Sequence, residues 1–174
     1  MPAVRRAAIT GAPGAGKSTL LVELARQGEA VVPEVARAIL QTESGMALRD
    51  TDPRGFADAM LEAQLLAWDV RDEPGKLIYD RGFPDIVGFL LVEGLAIPSE
   101  IDRACRVCRF DGPIFRAPPW RAIYHSDRER IQDWQQAVAS DEAVTSAWYD
   151  YGYELVDLPL IATAERATFV RERL

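Results

Sequence analysis

The chain has 174 residues, which at roughly 100–200 residues per domain predicts a single domain spanning 1–174. Hydrophobic residues make up 48% and charged residues 27%, a balance that excludes a disordered or fibrous protein. Twenty Lys and Arg against 27 Asp and Glu give a net charge of −7, whereas binding to nucleic acid or to an anionic membrane needs a basic surface. We therefore expect neither as a partner.

The first predicted elements run strand, loop, helix, strand. Residues 7–10 form a short apolar strand that enters a glycine-rich turn at 11–18, and residues 19–25 repeat apolar side chains at helical spacing. Residues 30–33 predict a second strand, because two β-branched residues precede a proline that a central strand would exclude. A helix is expected to begin at Glu34.

A long helix and a buried strand follow. Asp52 is predicted to cap a helix over 53–70, because proline is favoured at the first helical position and one apolar face recurs along the segment. Residues 77–80 have the composition of a buried strand that ends on an acidic residue. Two further helices are predicted, one over 86–95 and one that starts from a capping box at Ser99.

The last third of the chain continues the alternation. Residues 113–115 predict a strand, and a capping box at Ser126 predicts a helix that runs to about residue 149. Residues 153–158 and 164–173 predict a closing strand and helix. Strands alternating with helices indicate an α/β fold, with a parallel sheet covered by helices on both faces and ligands bound at the carboxyl ends of the strands.

The strongest motif is GAPGAGKS at 11–18, which matches G-x-x-x-x-G-K-[ST] between a predicted strand and a predicted helix. Its glycines let the backbone approach closely, so that successive N–H groups and the helix start can surround phosphates. We assign Lys17 to the β- and γ-phosphates and the Ser18 hydroxyl to Mg²⁺. The predicted nucleotide-binding residues are Gly11, Ala12, Pro13, Gly14, Ala15, Gly16, Lys17, Ser18 and Thr19.

Asp80 ends the third predicted strand, which places its carboxylate beside Ser18, where it can hold Mg²⁺ directly or through water. The alternative is a turn or helix-capping aspartate with no metal role. Arg81 follows, where motor ATPases usually carry a glutamate, and the usual guanine motif of regulatory GTPases needs an asparagine, which this chain lacks. A kinase or a simple nucleoside triphosphatase therefore remains.

Six segments together resemble a known family. They are GAPGAGKST (11–19), VVPEVAR (31–37), YDRGFPD (79–85), FRAPPW (115–120), YHSDRER (124–130) and YGYELVDLP (151–159). With these, nearly the whole chain resembles a small P-loop family of bacterial predicted ATPases and kinases, AAA-domain-like, which groups with the ribosylnicotinamide kinase domain and, more distantly, with deoxynucleoside and thymidylate kinases. The resemblance implies a three-layer α/β/α sandwich, a five-stranded parallel sheet in the order 2-3-1-4-5, and a helical lid at about 118–132.

The resemblance also implies which residues are catalytic besides Lys17. Glu34 corresponds to an acidic residue that accepts the proton of a substrate hydroxyl, and its alternative role is that of a glutamate stabilised by the start of a helix. Arg81 resembles the arginine that orients the acceptor or a phosphate. Arg128, in the lid, would neutralise charge on the transferring phosphate once the lid closes, with Arg121 and Arg130 as alternatives.

Other residues are weaker candidates. Asp85 is a rival for the role of general base, and Gln64, on the long helix, could line an acceptor pocket, although helical glutamines are mostly solvated. Cys105 and Cys108 have metal-ligand spacing, yet zinc needs four ligands. His125 is the single histidine and is expected to be an exposed lid residue. The two cysteines are expected to be incidental thiols.

These observations predict an ATP- and Mg²⁺-dependent kinase that phosphorylates a hydroxyl group of a small molecule. The alternative is a nucleotide-binding NTPase or switch that acts through a protein partner. Two cysteines are too few for a disulfide framework, and the first residues carry no secretion signal. We therefore expect a cytoplasmic protein.

Overall fold

A computed structural model describes residues 4–69, 75–124 and 133–174. Its strands are β1 (Arg5–Gly11), β2 (Ala30–Val32), β3 (Lys76–Asp80), β4 (Ile114–Ala117) and β5 (Leu155–Asp157). They form one sheet in the order β2-β3-β1-β4-β5, and every neighbouring pair is parallel. The order implied by the resemblance is confirmed.

Helices connect the strands and cover both faces of the sheet. They are α1 (Lys17–Arg26), α2 (Val35–Leu40), α3 (Gly45–Thr51), α4 (Pro53–Asp69), α5 (Phe83–Val92), α6 (Ser99–Val107), α7 (Trp134–Asp150) and α8 (Thr163–Arg171). A short 3₁₀ turn, Arg121–Ile123, follows β4. Within the described residues, no helix is both long and apolar enough to cross a bilayer.

The sheet separates two apolar cores because strand side chains alternate between its faces. Ile9, Ile78 and Phe115 come from three neighbouring strands and pack with α1 and α8 on one face. Ala8 and Tyr79 point to the opposite face, where α4, α5, α6 and α7 pack. Burying each large apolar side chain contributes about 1.5–3 kcal/mol, so both layers of helices are held firmly to the sheet.

An aromatic cluster fills the larger core. Its members are Trp68, Tyr79, Phe110, Trp148 and Tyr153, whose rings meet mostly edge to face. A Cβ atom at Gly82 would approach the rings of Phe110 and Trp148 to 2.8 Å, so a residue with no side chain is needed there. The cluster brings Trp148 of α7 against the turn between β3 and α5.

Two helix starts differ from those predicted. The predicted unbroken helix from Ser126 to about residue 149 is wrong, because α7 begins at Trp134, where the Asp133 carboxylate accepts the Gln136 backbone N–H and the Gln136 side chain accepts the Asp133 N–H, each at 2.8 Å. Ser126 itself lies outside the described residues. The competing capping box at 133–136 is therefore the one that starts the helix. Ser99 is the first residue of α6 rather than its cap, since Pro98 occupies the capping position.

Other boundaries follow local hydrogen bonding. α4 starts at Pro53 as predicted, and the Asp52 carboxylate accepts the Gly55 N–H at 2.9 Å. α5 starts at Phe83, three residues before the prediction, because the Asp85 carboxylate accepts the Gly82 N–H at 2.9 Å and closes its first turn. The helix α3 was not predicted. Of the predicted lid, 118–124 are described, and 125–132 lie outside the described residues.

Candidate active site

The phosphate-loop motif joins β1 to α1. Gly11, Gly14 and Gly16 have positive φ values of 117°, 73° and 79°, a backbone region that side chains disfavour. A Cβ atom at Gly11 would lie 2.3 Å from the Ala117 carbonyl oxygen of β4. The first N–H groups of α1, beginning at Lys17, lack acceptors within the helix. This is the arrangement that binds phosphate at a helix start.

Lys17 lies within the loop, with 7% of its surface exposed. Its ammonium donates to the Gly11 carbonyl at 3.2 Å and also to the Ala12 carbonyl. Burial and the nearby charge of Arg81 lower its pKa to about 7, against the opposing effect of neighbouring carboxylates. A bound phosphate would add negative charge and favour the ammonium form.

Asp80 ends β3 directly beside β1, where it pairs in register with Ile9. Its carboxylate is buried, and within the described residues its Oδ1 atom has no hydrogen-bond partner. Burial and the charge of Glu34 raise its pKa to about 6, although Arg81 and Lys17 oppose the shift. An unpaired carboxylate oxygen of this kind is a ready ligand for a hard cation.

The residues present fit Mg²⁺ in the form in which it accompanies phosphates. Among the described residues, no group of three or more His, Cys, Asp or Glu side chains could hold a metal by itself. Mg²⁺ commonly takes one or two protein ligands and completes its shell with water and substrate phosphates. Asp80 and the hydroxyl of Ser18 are the protein groups that would hold it here.

Arg81, the residue after Asp80, links three parts of the site. Its φ of 71° is the one positive value for a non-glycine residue in the described ranges, and such a conformation costs about 1–3 kcal/mol. Its Nε donates to Glu34 at 3.0 Å, and its Nη1 donates to the Gly11 carbonyl at 3.2 Å and to Asp85 at 3.0 Å. These bonds offset the strain and fix the guanidinium.

Asp85 accepts four hydrogen bonds and is buried. Besides Arg81, its donors are the Thr10 hydroxyl at 2.6 Å, the Gly82 N–H at 2.9 Å and the Trp148 indole N–H at 3.0 Å. Both carboxylate oxygens are therefore occupied by groups of the protein. With both oxygens occupied, Asp85 is better suited to orienting Arg81 than to accepting a proton from a substrate.

Glu34 occupies the N-cap position of α2, after the carboxyl end of β2, without a capping hydrogen bond from its side chain, and its side chain is 21% exposed. Burial raises its pKa, but the charges of Arg81, Lys17 and Arg37 outweigh that effect and hold the pKa below its ordinary value. Glu34 is therefore an ionised carboxylate at neutral pH. It is held by Arg81 on one side and borders a cavity.

The cavity has a volume of about 450 Å³ and continues from the phosphate loop into the space between α2, α3, α4 and α5. Gly14, Gly16, Lys17 and Ser18 line the loop end, and Glu34 and Arg81 lie beside them. The walls beyond are mostly apolar, including Val35, Leu40, Met46, Phe56, Ile86 and Phe89. This is a typical size and lining for a small-molecule site.

Two polar side chains that line the cavity are Gln64, a weak candidate from the sequence, and Arg49, which was not predicted. Gln64 is 3% exposed and lines the cavity. The expectation of a solvated side chain is wrong. Its burial could have been predicted from its spacing, because it lies four residues from Met60 and eight from Phe56, both of which are buried. Arg49 also lines the cavity, but it belongs to the unpredicted helix α3.

The remaining candidates lie elsewhere. Cys105 and Cys108 are free thiols on α6 and at its end, and burial raises the pKa of Cys105 to about 12, which suits an unreactive thiol. Arg121 stacks over the Trp134 ring at 5.0 Å. Arg128, Arg130 and His125 lie outside the described residues, so the lid roles stay predictions.

Several solved structures have the same fold as this chain. A deoxyadenosine kinase from M. mycoides with bound dATP superposes with a TM-score of 0.70 at 15% identity, covering 96% of this chain and 97% of that one. Thymidylate kinase from Candida albicans gives 0.61 at 12% identity, covering 98% and 90%. The NadR protein in complex with NR gives 0.66 at 18% identity, covering 98% of this chain but 49% of that one. The chain thus has the fold of P-loop kinases.

The sequence comparisons place the chain in a family. Among curated proteins, no sequence match was found. The family model described as an AAA domain matches residues 6–166, which is most of the chain. The protein therefore belongs to this AAA-domain family, and the resemblance seen in the motifs is confirmed.

Proposed function

We propose that the protein is an ATP- and Mg²⁺-dependent phosphotransferase that transfers the γ-phosphoryl group to a hydroxyl of a small molecule. The observation that carries this proposal is the cavity that continues from the phosphate loop, with the ionised Glu34 at the junction. A nucleotide on the loop would direct its γ-phosphate toward this space. A protein that only hydrolysed ATP or acted as a switch would need no such second compartment.

The cavity supports an acceptor of modest size with both apolar and polar surface. Its apolar walls would bury a ring or a similar body, and the amide of Gln64, which lines the cavity, offers N–H donors and a carbonyl acceptor side by side. Two structural neighbours are kinases by name, of deoxyadenosine and of thymidylate. The net charge of −7 also favours a small molecule over nucleic acid.

The proposed reaction is a direct transfer. Lys17 and the loop N–H groups hold the β- and γ-phosphates. Glu34 accepts the proton of the acceptor hydroxyl while the hydroxyl oxygen bonds to the γ-phosphorus. The bond between phosphorus and the bridging β-oxygen breaks, and ADP leaves with the electron pair. Bound Mg²⁺, held by Ser18 and Asp80, would supply charge neutralisation on the phosphate oxygens. Arg81 keeps Glu34 in place, and Arg128 is proposed to act from the lid.

The test is ATP turnover with Mg²⁺ against a panel of nucleosides and small alcohols, with Lys17→Ala as the blank. We expect one acceptor class to raise ADP formation well above the rate without acceptor and to yield a phosphorylated product. A basal rate that no acceptor changes would contradict the proposal.

A further inference from the structure

Arg166, on α8, is a buried cation that the reaction described above does not use. Only 2% of its surface is exposed. Its Nη1 donates to the carbonyl of Ala15 in the phosphate loop at 2.9 Å. Its Nε and Nη2 atoms are also buried, and neither has a hydrogen-bond partner within the described ranges. No carboxylate in those ranges forms an ion pair with it.

This arrangement is unfavourable for a residue with a purely structural role. A guanidinium carries five N–H donors, and taking a charge out of water is costly unless it is paired and hydrogen-bonded. Burial accordingly lowers the pKa of Arg166. Bracing the Ala15 carbonyl occupies one N–H of Nη1, so the three N–H groups on Nε and Nη2, which lack partners within the described ranges, indicate a partner that arrives from outside the protein.

The surroundings of Arg166 show where that partner would bind. A Cβ atom on Gly16 would lie 3.0 Å from Nη1 of Arg166 and 3.2 Å from Cδ1 of Ile123. The Trp120 ring lies over the guanidinium, with its centroid 5.4 Å from Cζ. Arg166 thus sits between the phosphate loop and residues 118–124, outside the cavity assigned to the acceptor.

We propose that the free edge of Arg166 binds an oxygen of the donor nucleotide at the outer rim of the phosphate loop. The inference rests on the proposed function, because it takes the loop ligand to be a nucleotide. An oxygen acceptor is the chemistry that matches three unpaired N–H groups on a cation, and charge-assisted hydrogen bonds of this kind are among the strongest in proteins. The oxygen belongs either to a phosphate or to the nucleoside.

The test compares Arg166→Met with wild type in ADP binding by calorimetry and in thermal unfolding without ligand. We expect the affinity for ADP to fall about ten- to a hundred-fold, as for a lost hydrogen bond to a charged group. We also expect ligand-free Arg166→Met to unfold at the same temperature as wild type or higher, because the variant buries no under-paired cation. Arg171→Met is the matched control, since Arg171 lies on the same helix and pairs with Glu29 at the surface.

A structural brace would give the opposite pattern. If Arg166→Met unfolds at a lower temperature and binds ADP as wild type does, the proposal is wrong. Arg166→Lys keeps the charge and can still donate to the Ala15 carbonyl, but it loses the planar edge formed by Nε and Nη2, and it provides the same comparison should the methionine variant not fold. If wild type itself binds no ADP, the proposed function fails rather than the assignment of Arg166 alone.

The same variants identify the source of the oxygen. Inorganic pyrophosphate carries the phosphate oxygens of ADP without the nucleoside. An equal loss of affinity for pyrophosphate and ADP would place Arg166 on a phosphate oxygen. A loss for ADP alone would place it on the nucleoside, and both results support the proposal.

Discussion

At the scale of single residues, Glu34 is the group on which the proposed transfer depends. Glu34→Gln keeps an oxygen for the bond from Arg81 but cannot accept a proton. We expect kcat with the best acceptor to fall by a factor of about 10²–10⁴, the range for general base catalysis, while KM for ATP stays unchanged. Glu29→Gln, a change at a surface ion pair, is the control. Unchanged kcat in Glu34→Gln would remove Glu34 from the mechanism.

Asp80 is a residue at which the proposed function and stability conflict. Its pKa is raised from 3.8 to about 6, so the folded protein binds this proton more tightly than the unfolded chain does. Ionisation therefore costs folding free energy, and the cost grows as pH rises from about 4 to about 6. Asp80→Asn, which carries no such charge, should gain stability relative to wild type over this interval and keep the gain at higher pH.

The measurement is thermal unfolding of both proteins without nucleotide or Mg²⁺, at pH 5 and pH 8. A gain of 1 kcal/mol would appear as about 2–4 °C in Tm for a chain of this size. The same variant should lose Mg²⁺-dependent turnover. An Asp80→Asn protein that unfolds below wild type at pH 8 would show that the carboxylate is stabilising, contrary to this account.

The roles predicted for Lys17 and Ser18 follow from one motif, and the role predicted for Asp80 follows from the end of one strand. Arg166 could not be found in this way, because its partner Ala15 lies 151 positions away and its own helix has little apolar pattern. Gln64 could have been found from the buried face of α4, had that spacing been weighed more heavily than the general preference of glutamine for solvent.

At the scale of elements, the turn from β3 into α5 is the unit that assembles the site. It places Arg81 in a strained conformation, and Asp85, in the first turn of α5, holds the guanidinium and the Gly82 N–H together. If Asp85 acts through Arg81 on Glu34, then Asp85→Asn should lower kcat with little change in KM for ATP. In a Glu34→Gln background the same substitution should have almost no further effect on kcat.

The double-mutant cycle in kcat is the measurement, and thermal unfolding of each variant separates lost folding from lost orientation. Coupled residues of one network show non-additive effects. If the effects of Asp85→Asn and Glu34→Gln on kcat simply add, then Asp85 serves the fold and not the orientation of Glu34.

Elements were predicted well where the local signal was strong, as for α4, where apolar spacing and a helix-start signal agree, and for β3, which is a short apolar run. The start of α7 was misplaced because two capping patterns lie seven residues apart, at Ser126 and Asp133, and sequence alone gave no reason to prefer the second. The helix α3 was missed because its seven residues are too few to show a repeating apolar face. The prediction of the strand order depended on the family resemblance, because the alternation of strands and helices indicates parallel pairing but not which strands are neighbours in the sheet.

At the scale of the whole molecule, the sheet brings distant parts of the chain to one edge. The phosphate loop follows β1, Glu34 follows β2 and Asp80 ends β3, so these groups converge at the carboxyl ends of adjacent parallel strands. Two separate cores hold the helices on either face. The cavity proposed for the acceptor lies on the face covered by α4 and α5, and Arg166 approaches the loop from α8 on the other face.

The most direct test of the proposed function is to measure transfer of the γ-phosphoryl group of ATP to a hydroxyl acceptor. Phosphorylated product and ADP are followed in the same reaction, with Lys17→Ala as the blank. We expect product and ADP in equal amounts, both dependent on the acceptor and on Mg²⁺. ADP formed at the same rate with and without every acceptor, and no phosphorylated product, would contradict it.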